Sequence, residues 1–171
     1  AIYGVFGIVS SYKPLRVLSY PPPANLVAAI AVPEEGKKMT KDFRTILPRR
    51  VELGKIIHNI GAASAIVAGM ITGDLALLGR GMVADEIVDP IRIPRYRGCP
   101  EAREAAVLAG ALGVSLSGAG PTLLAITNSK TKAREIMLAM INAFQEKGVK
   151  CKGYLSVPAR GARIIRGDSD Q

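Results

Sequence analysis

The run Gly113-Val114-Ser115-Leu116-Ser117-Gly118-Ala119-Gly120-Pro121-Thr122-Leu123-Leu124-Ala125-Ile126 decides the fold. Two short apolar segments, 114–117 and 122–127, flank a break whose glycines open backbone conformations closed to other residues. The spacing predicts a tight loop between two strands. That loop reads either as a plain hairpin turn or as a place where exposed N–H groups approach an anion. It is not a Walker loop, because no Gly-Lys-Ser or Gly-Lys-Thr follows it.

Downstream, Thr131 to Lys147 sets Ala133, Ile136, Met137, Met140, Ile141 and Phe144 on one helical face, with Gly148 as its stop. The methionines read as core filler. Cys151 to Val157 and Ala162 to Arg166 read as strands, and 167–171 as a frayed tail. Upstream, 101–112 reads as a helix closed by Gly113, and 75–88 as one or two shorter helices. Leu53, Ile57, Ile60, Ser64, Val67 and Ile71 recur at three- and four-residue steps, predicting a long helix ended by Gly73. Its small residues, Gly61, Ala62, Ala63, Ala65, Ala68 and Gly69, let another element approach closely. Leu26 to Val32 is continuously apolar, as for a strand buried on both faces. Thr40 caps a short helix over 40–47, with Asp42 in its first turn. Residues 3–10 and 15–19 read as a strand pair, and Pro21-Pro22-Pro23 as a stiff connector. The expected organisation is therefore a piece over 1–23 and a main domain over 24–171. The order of elements predicts an α+β, ferredoxin-like sandwich with helices on one face of an antiparallel sheet.

Composition sets outer bounds. At 171 residues with 49% hydrophobic and 22% charged, the chain can bury a core and is not disordered throughout. Twenty-three Lys and Arg against 14 Asp and Glu, net +9, favour an anionic partner. Residues 130–171 hold nine basic and four acidic residues, and 1–129 hold fourteen and ten. With the surplus spread this way and no Trp, nucleic-acid binding is not expected. Cys99 and Cys151 read as two reduced thiols of a cytoplasmic protein. Uncharged stretches at 56–73 and 105–129 are interrupted by glycine and polar residues, so no membrane span is expected.

Three further places can carry chemistry. Thr40 and Arg44 lie four apart, so a hydroxyl and a guanidinium share one helix face and can hold a carboxylate or phosphate; equally, they are a cap and a solvated charge. Asp85 to Arg97 sets Arg92, Arg95 and Arg97 on a proline-stiffened loop behind three carboxylates, either an anion clamp or a set of local ion pairs. His58 has no Ser, Cys or Asp arrangement for a triad and reads as structural. No metal-ligand spacing is present, so no intrinsic metal site is expected.

At these places the sequence resembles the homoserine kinases of the GHMP kinase superfamily. The resemblance is carried by TKDFRTILPRRV at 40–51, GDLALLGRGMVADEIVDPIR at 73–92 and GVSLSGAGPTLLAI at 113–126. AIYGVFGIVSSYKPLRVL at the start is similar to the strand pair that ends the family's N-terminal domain. The resemblance implies ATP-dependent phosphorylation of the L-homoserine hydroxyl, a step toward threonine. It implies that Thr40, Arg44, Arg92 and Gly118 bind substrate and that Ser117, Gly118, Ala119 and Gly120 form the glycine loop. ATP and Mg would be bound mainly by an N-terminal kinase domain, since no proline- and glycine-rich loop ending in serines occurs here. The chain then reads as the C-terminal portion of an enzyme, inactive by itself, with a homodimer as the family's usual assembly. Kinases for other small alcohols, of shikimate or mevalonate type, and a non-catalytic basic amino-acid- or RNA-binding module are the competing readings. Phe43 and the short approach from Arg92 to Ile93-Pro94 depart from the family pattern, leaving Arg92, Arg95 and Arg97 as alternatives for the second carboxylate contact.

Overall fold

The computed structural model describes residues 4–34, 46–159 and 161–162. In chain order these form β1 (Phe6–Tyr12), β2 (Leu15–Tyr20), β3 (Val27–Pro33), α1 (Leu53–Thr72) and α2 (Leu75–Val83). Then come α3 (Asp89–Arg92), which runs into a 3-10 turn at Ile93–Arg95, and α4 (Cys99–Leu108). The last elements are β4 (Gly113–Leu116), β5 (Leu123–Thr127), α5 (Lys130–Glu146) and β6 (Cys151–Ser156). Thr40, Phe43, Arg44 and most of the expected helix over 40–47 lie outside the described residues, as does all but the first residue of the strand expected at 162–166.

Strands β4, β5, β3 and β6 lie side by side in that order, every pair antiparallel. This is the split arrangement of a ferredoxin-like sheet, in which the first and third strands lie at the centre. Strands β1 and β2 pair apart from it as a two-stranded sheet. Along β3, Val27, Ala29 and Ala31 are buried while Ala28, Ile30 and Val32 are half-buried. The continuous apolar run therefore has one fully covered face and one partly covered face, and not two buried faces.

The covered face meets α4 and α5. Ser129 caps α5 by accepting from the Lys132 N–H, and Ala133, Ile136, Met140 and Phe144 go down onto the sheet. Met140 is fully buried, as filler should be. Gly148, at φ 73°, ends the segment in the left-handed region that favours glycine. On α4, Cys99, Ala102 and Ala106 complete the same core. Helix α4 stops at Leu108, earlier than the sequence suggests, because Gly110 takes the left-handed turn at φ 90°. That frees Gly113 for a different duty.

Gly113 and Gly79 touch backbone to backbone. A Cβ on Gly79 would sit 1.8 Å from the Leu112 carbonyl oxygen, and one on Gly113 would sit 2.5 Å from the Gly79 Cα. This contact docks α2 on the edge strand β4. Helix α1 in turn folds back on α2 across Gly73, with Gly69 against Leu78 and Gly81 against Ala62. The close packing expected of the small residues is therefore made by Ala62 and Gly69, and not by Gly61, which faces open space. The periodic stripe that reveals the helix points elsewhere: Leu53 is 70% exposed and Ile57 and Ile60 are each 61% exposed.

The two kinds of glycine predict opposite mutational effects. Gly61 lies on the exposed side of α1, and a methyl group added there would meet nothing within 4 Å. Gly61→Ala is expected to add about 0.5–1 kcal/mol of stability through helix propensity. Gly79→Ala is expected to cost about 2 kcal/mol or more through the backbone clash. Urea denaturation of the two variants checks the signs.

Candidate functional site

Helix ends and the β4–β5 loop converge on one cavity of about 350 Å³, lined by Asn59, Ala62, Asp85, Asp89, Ser115 and Gly118 among others. Its size suits a small metabolite. The loop at its mouth is closed by the Ser117 N–H donating to the Thr122 carbonyl and the Gly120 N–H donating to the Ser117 carbonyl. Gly118 and Gly120 have φ of 64° and 89°, so both need glycine for the backbone itself. Gly120 also lies against the Tyr96 ring, 2.6 Å from where a Cβ would be.

The end of α3 and the turn that follows it hold this loop by its carbonyls. The Arg92 Nη1 donates to the Gly118 carbonyl at 3.5 Å, and the buried Tyr96 hydroxyl donates to the Ala119 carbonyl at 2.8 Å. In a planar trans peptide the C=O and the next N–H point in opposite directions. Tying the Gly118 carbonyl toward Arg92 therefore turns the Ala119 N–H away from it. Among the described residues, the N–H groups of Gly118 and Ala119 have no acceptor. Open amides in a glycine-rich turn suit an anionic group, and the Arg92 guanidinium, on the carbonyl side of the Gly118–Ala119 peptide, offers a second anion contact.

Three arginines compete for the anion in the sequence, and the fold sends them different ways. Arg92 reaches Gly118, Arg95 donates to the carbonyl of Ile91 one turn back, and Arg97 lies against Gly148 at the end of α5. Ser117, Gly118, Ala119, Gly120 and Arg92 are thus brought together. Thr40 and Arg44 lie outside the described residues. His58 is half-exposed on α1 with its Nε2 3.7 Å from a Glu86 carboxylate oxygen, at the surface and not buried.

Carboxylates surround the arginine turn. Burial pushes the Asp85 carboxyl up, but N–H groups of Ile87 and Val88, the Asn59 amide and the Asp89 N–H outweigh it and hold Asp85 below its ordinary 3.8. Asp89 is raised, first by burial and then by the Asp85 charge, against the opposing pull of Arg103 and Arg92. The Arg103 guanidinium stands 4.0 Å from the Asp89 Oδ2, which is buried and takes no hydrogen bond among the described residues. Both cysteines are free, and burial raises Cys99 to about 12 and Cys151 to about 11. Neither is a poised nucleophile. Among the described residues no three His, Cys, Asp or Glu side chains cluster to hold a metal ion.

Asn59 and Tyr96 are the residues that sequence reasoning misses. Asn59 is one polar residue in an apolar helix, and Tyr96 sits between two arginines; neither has a local pattern that names its distant partner.

Comparison with known proteins gives a match to the family described as "GHMP kinases C terminal" over residues 62–146. A homoserine kinase of Chlorobium phaeovibrioides is 38% identical over 168 residues, covering 96% of this chain and 52% of that protein. A homoserine kinase of Arabidopsis thaliana is 35% identical over 170 residues, covering 96% and 45%. The crystal structure of a homoserine kinase from Cytophaga hutchinsonii superposes with a TM-score of 0.87 at 38% identity, covering 93% of this chain and 50% of that one. L. major mevalonate kinase, solved with R-mevalonate, shares the fold at a TM-score of 0.62 and 19% identity, covering 85% and 47%. The chain spans about half the length of the curated relatives it matches.

The lowered Asp85 carboxyl has a stability consequence. Its ionised form contributes stability that is fully present above its ordinary 3.8 and is lost as pH falls through the lowered folded value. Asp85→Asn is expected to cost about 1–2 kcal/mol at pH 7, as for loss of a helix cap. Thermal melts from pH 7 to pH 2 check this: the gap to the parent should narrow on acidification, and a constant gap would show that the charge is not what stabilises.

Proposed function

The chain carries a GHMP kinase C-terminal domain, and from that premise we propose that it is the substrate-side half of a homoserine kinase. The reaction is transfer of the ATP γ-phosphoryl group to the side-chain hydroxyl of L-homoserine, giving O-phospho-L-homoserine for threonine synthesis in the cytoplasm. The observation that carries this reading is the meeting of Arg92 with Gly118 at the mouth of the cavity. Identity of 38% to a homoserine kinase across 96% of the chain supports the choice of substrate.

A zwitterionic acceptor needs a forked cation for its carboxylate, and a guanidinium supplies one in bidentate form. Arg92 and Arg44 are assigned that carboxylate, with Thr40 beside them. The Ser117–Gly120 loop forms the floor, where the amides of Gly118 and Ala119 face the negative charge that gathers near the acceptor. Phosphoryl transfer relies mostly on positioning and charge stabilisation, so no side chain of this half is given an acid–base role. ATP supplies the transferred group; it and magnesium are assigned mainly to an N-terminal kinase domain, with β1 and β2 belonging to that domain. The complete enzyme is expected to be a homodimer.

The open apolar faces fit such an arrangement. Leu15, Val17 and Leu18 on β2 and Leu53, Ile57 and Ile60 on α1 are all exposed. By length and composition α1 could also cross a bilayer. Its apolar face is instead assigned to the remainder of the kinase.

A coupled ADP-release assay tests the proposal. The complete enzyme should turn over L-homoserine, and the 171 residues alone should not. Arg92→Ala should raise the KM for homoserine about 10- to 100-fold, the worth of a charged hydrogen-bonded contact, with the KM for ATP unmoved. Turnover of mevalonate in place of homoserine would overturn the choice of substrate.

A further inference from the structure

The turn that carries Arg92 cannot hold itself. Helix α3 has four residues, too few to be stable as an isolated helix. Its direction is set from outside. In the middle of α1, the Asn59 Nδ2 donates to the Asp85 Oδ1 at 2.7 Å, and the Asn59 Oδ1 accepts from the Glu86 N–H at 3.0 Å. Both ends of one amide are used, which fixes its orientation. The Asp85 carboxylate then accepts from the N–H groups of Ile87 at 2.8 Å and of Val88 and Asp89 at 3.0 Å. These amides lead into and open α3, where no helical carbonyl is available to them. The Arg92 N–H closes the turn on the Val88 carbonyl at 3.0 Å, and its guanidinium reaches Gly118. An unbroken polar path thus runs from α1 through Asn59, Asp85 and α3 to the glycine loop.

We infer that Asn59 and Asp85 are positioning residues for Arg92: the clasp between them sets the angle at which its guanidinium meets the carboxylate of the acceptor. This rests on the homoserine kinase reading. Both residues also line the cavity, so direct contact with the acceptor's ammonium is the rival role.

The two roles separate by acceptor. In the full-length kinase carrying this chain, Asn59→Asp sets two carboxylates face to face, and Asp85→Asn sets two amides face to face and removes the charge that gathers the turn. Each should lower kcat/KM about 10- to 100-fold for homoserine and for 4-hydroxybutyrate, which keep the carboxylate. For 3-amino-1-propanol, which lacks it, the loss should be at least several-fold smaller. The double variant Asn59→Asp/Asp85→Asn restores one donor facing one acceptor and should recover most of the loss. A loss that follows the ammonium, hitting homoserine and 3-amino-1-propanol but sparing 4-hydroxybutyrate, would overturn the inference, as would an equal loss on all three. Hydrogen exchange reads the clasp without turnover. In either single variant, the bonded amides of residues 86–89, 91 and 92 and those of Ser117 and Gly120 should exchange faster, and the double variant should restore them. Unchanged exchange at Ser117 and Gly120 would overturn the inference even if homoserine proved not to be the substrate. Lack of homoserine turnover by the parent enzyme, with the exchange pattern as expected, would instead count against the proposed function alone.

Discussion

Two successive carbonyls of the glycine loop are held by one short segment, and the candidate site depends on that hold. Arg92 takes the Gly118 oxygen and Tyr96 takes the Ala119 oxygen. Because each peptide is planar, fixing those oxygens also fixes the Ala119 N–H, which is open, and the Gly120 N–H, which donates to the Ser117 carbonyl. The same two side chains are therefore a structural clamp and the edge of a binding surface. Gly120 makes the clamp possible, since a methyl group there would strike the Tyr96 ring. The loop is a hairpin connection by topology and an anion-facing turn by its open amides, so the two readings open in the sequence describe one object.

The rest of the fold serves to bring these segments together. Helices α4 and α5 press on the β3, β5 and β6 side of the sheet and hold the hairpin from below. Helix α2, seated on β4 through Gly79 and Gly113, carries α1 to the cavity wall where Asn59 meets Asp85. Backbone contact at the two glycines leaves no room for side chains between these elements, so the position of α1 follows from that of β4.

What the sequence made legible was local. The β4–β5 hairpin, the Gly73 and Gly148 stops, and the apolar face of α5 each follow from residues within a turn or two of one another. The ferredoxin-like order could be read because alternating strand and helix periods leave few ways to cover a sheet. The stripe on α1 misleads because hydrophobic spacing reports a helix without saying which neighbour covers it; here Ala62 and Gly69 make the close contact while Ile57 and Ile60 remain open. Gly113 misleads for a related reason: a glycine after a helix resembles a stop until the contact with Gly79, 34 positions earlier, is in view. Of the site, Ser117–Gly120 and Arg92 were named from the sequence. Asn59 and Tyr96 were not, since their partners lie 26 and 23 residues away.

The net charge of +9 also takes a narrower meaning. Several cations are matched at the surface, as in Lys147 with Glu101 and Lys152 with Glu34, pairs that contribute little to stability. Arg92 reaches a loop with open amides. The most direct measurement is a crystal structure of the complete enzyme with L-homoserine bound. The acceptor's carboxylate is predicted to lie within hydrogen-bond distance of the Arg92 guanidinium, roughly 2.7–3.2 Å, beside Gly118. A carboxylate held elsewhere, with Arg92 still turned to the loop and out of reach, would contradict the assignment.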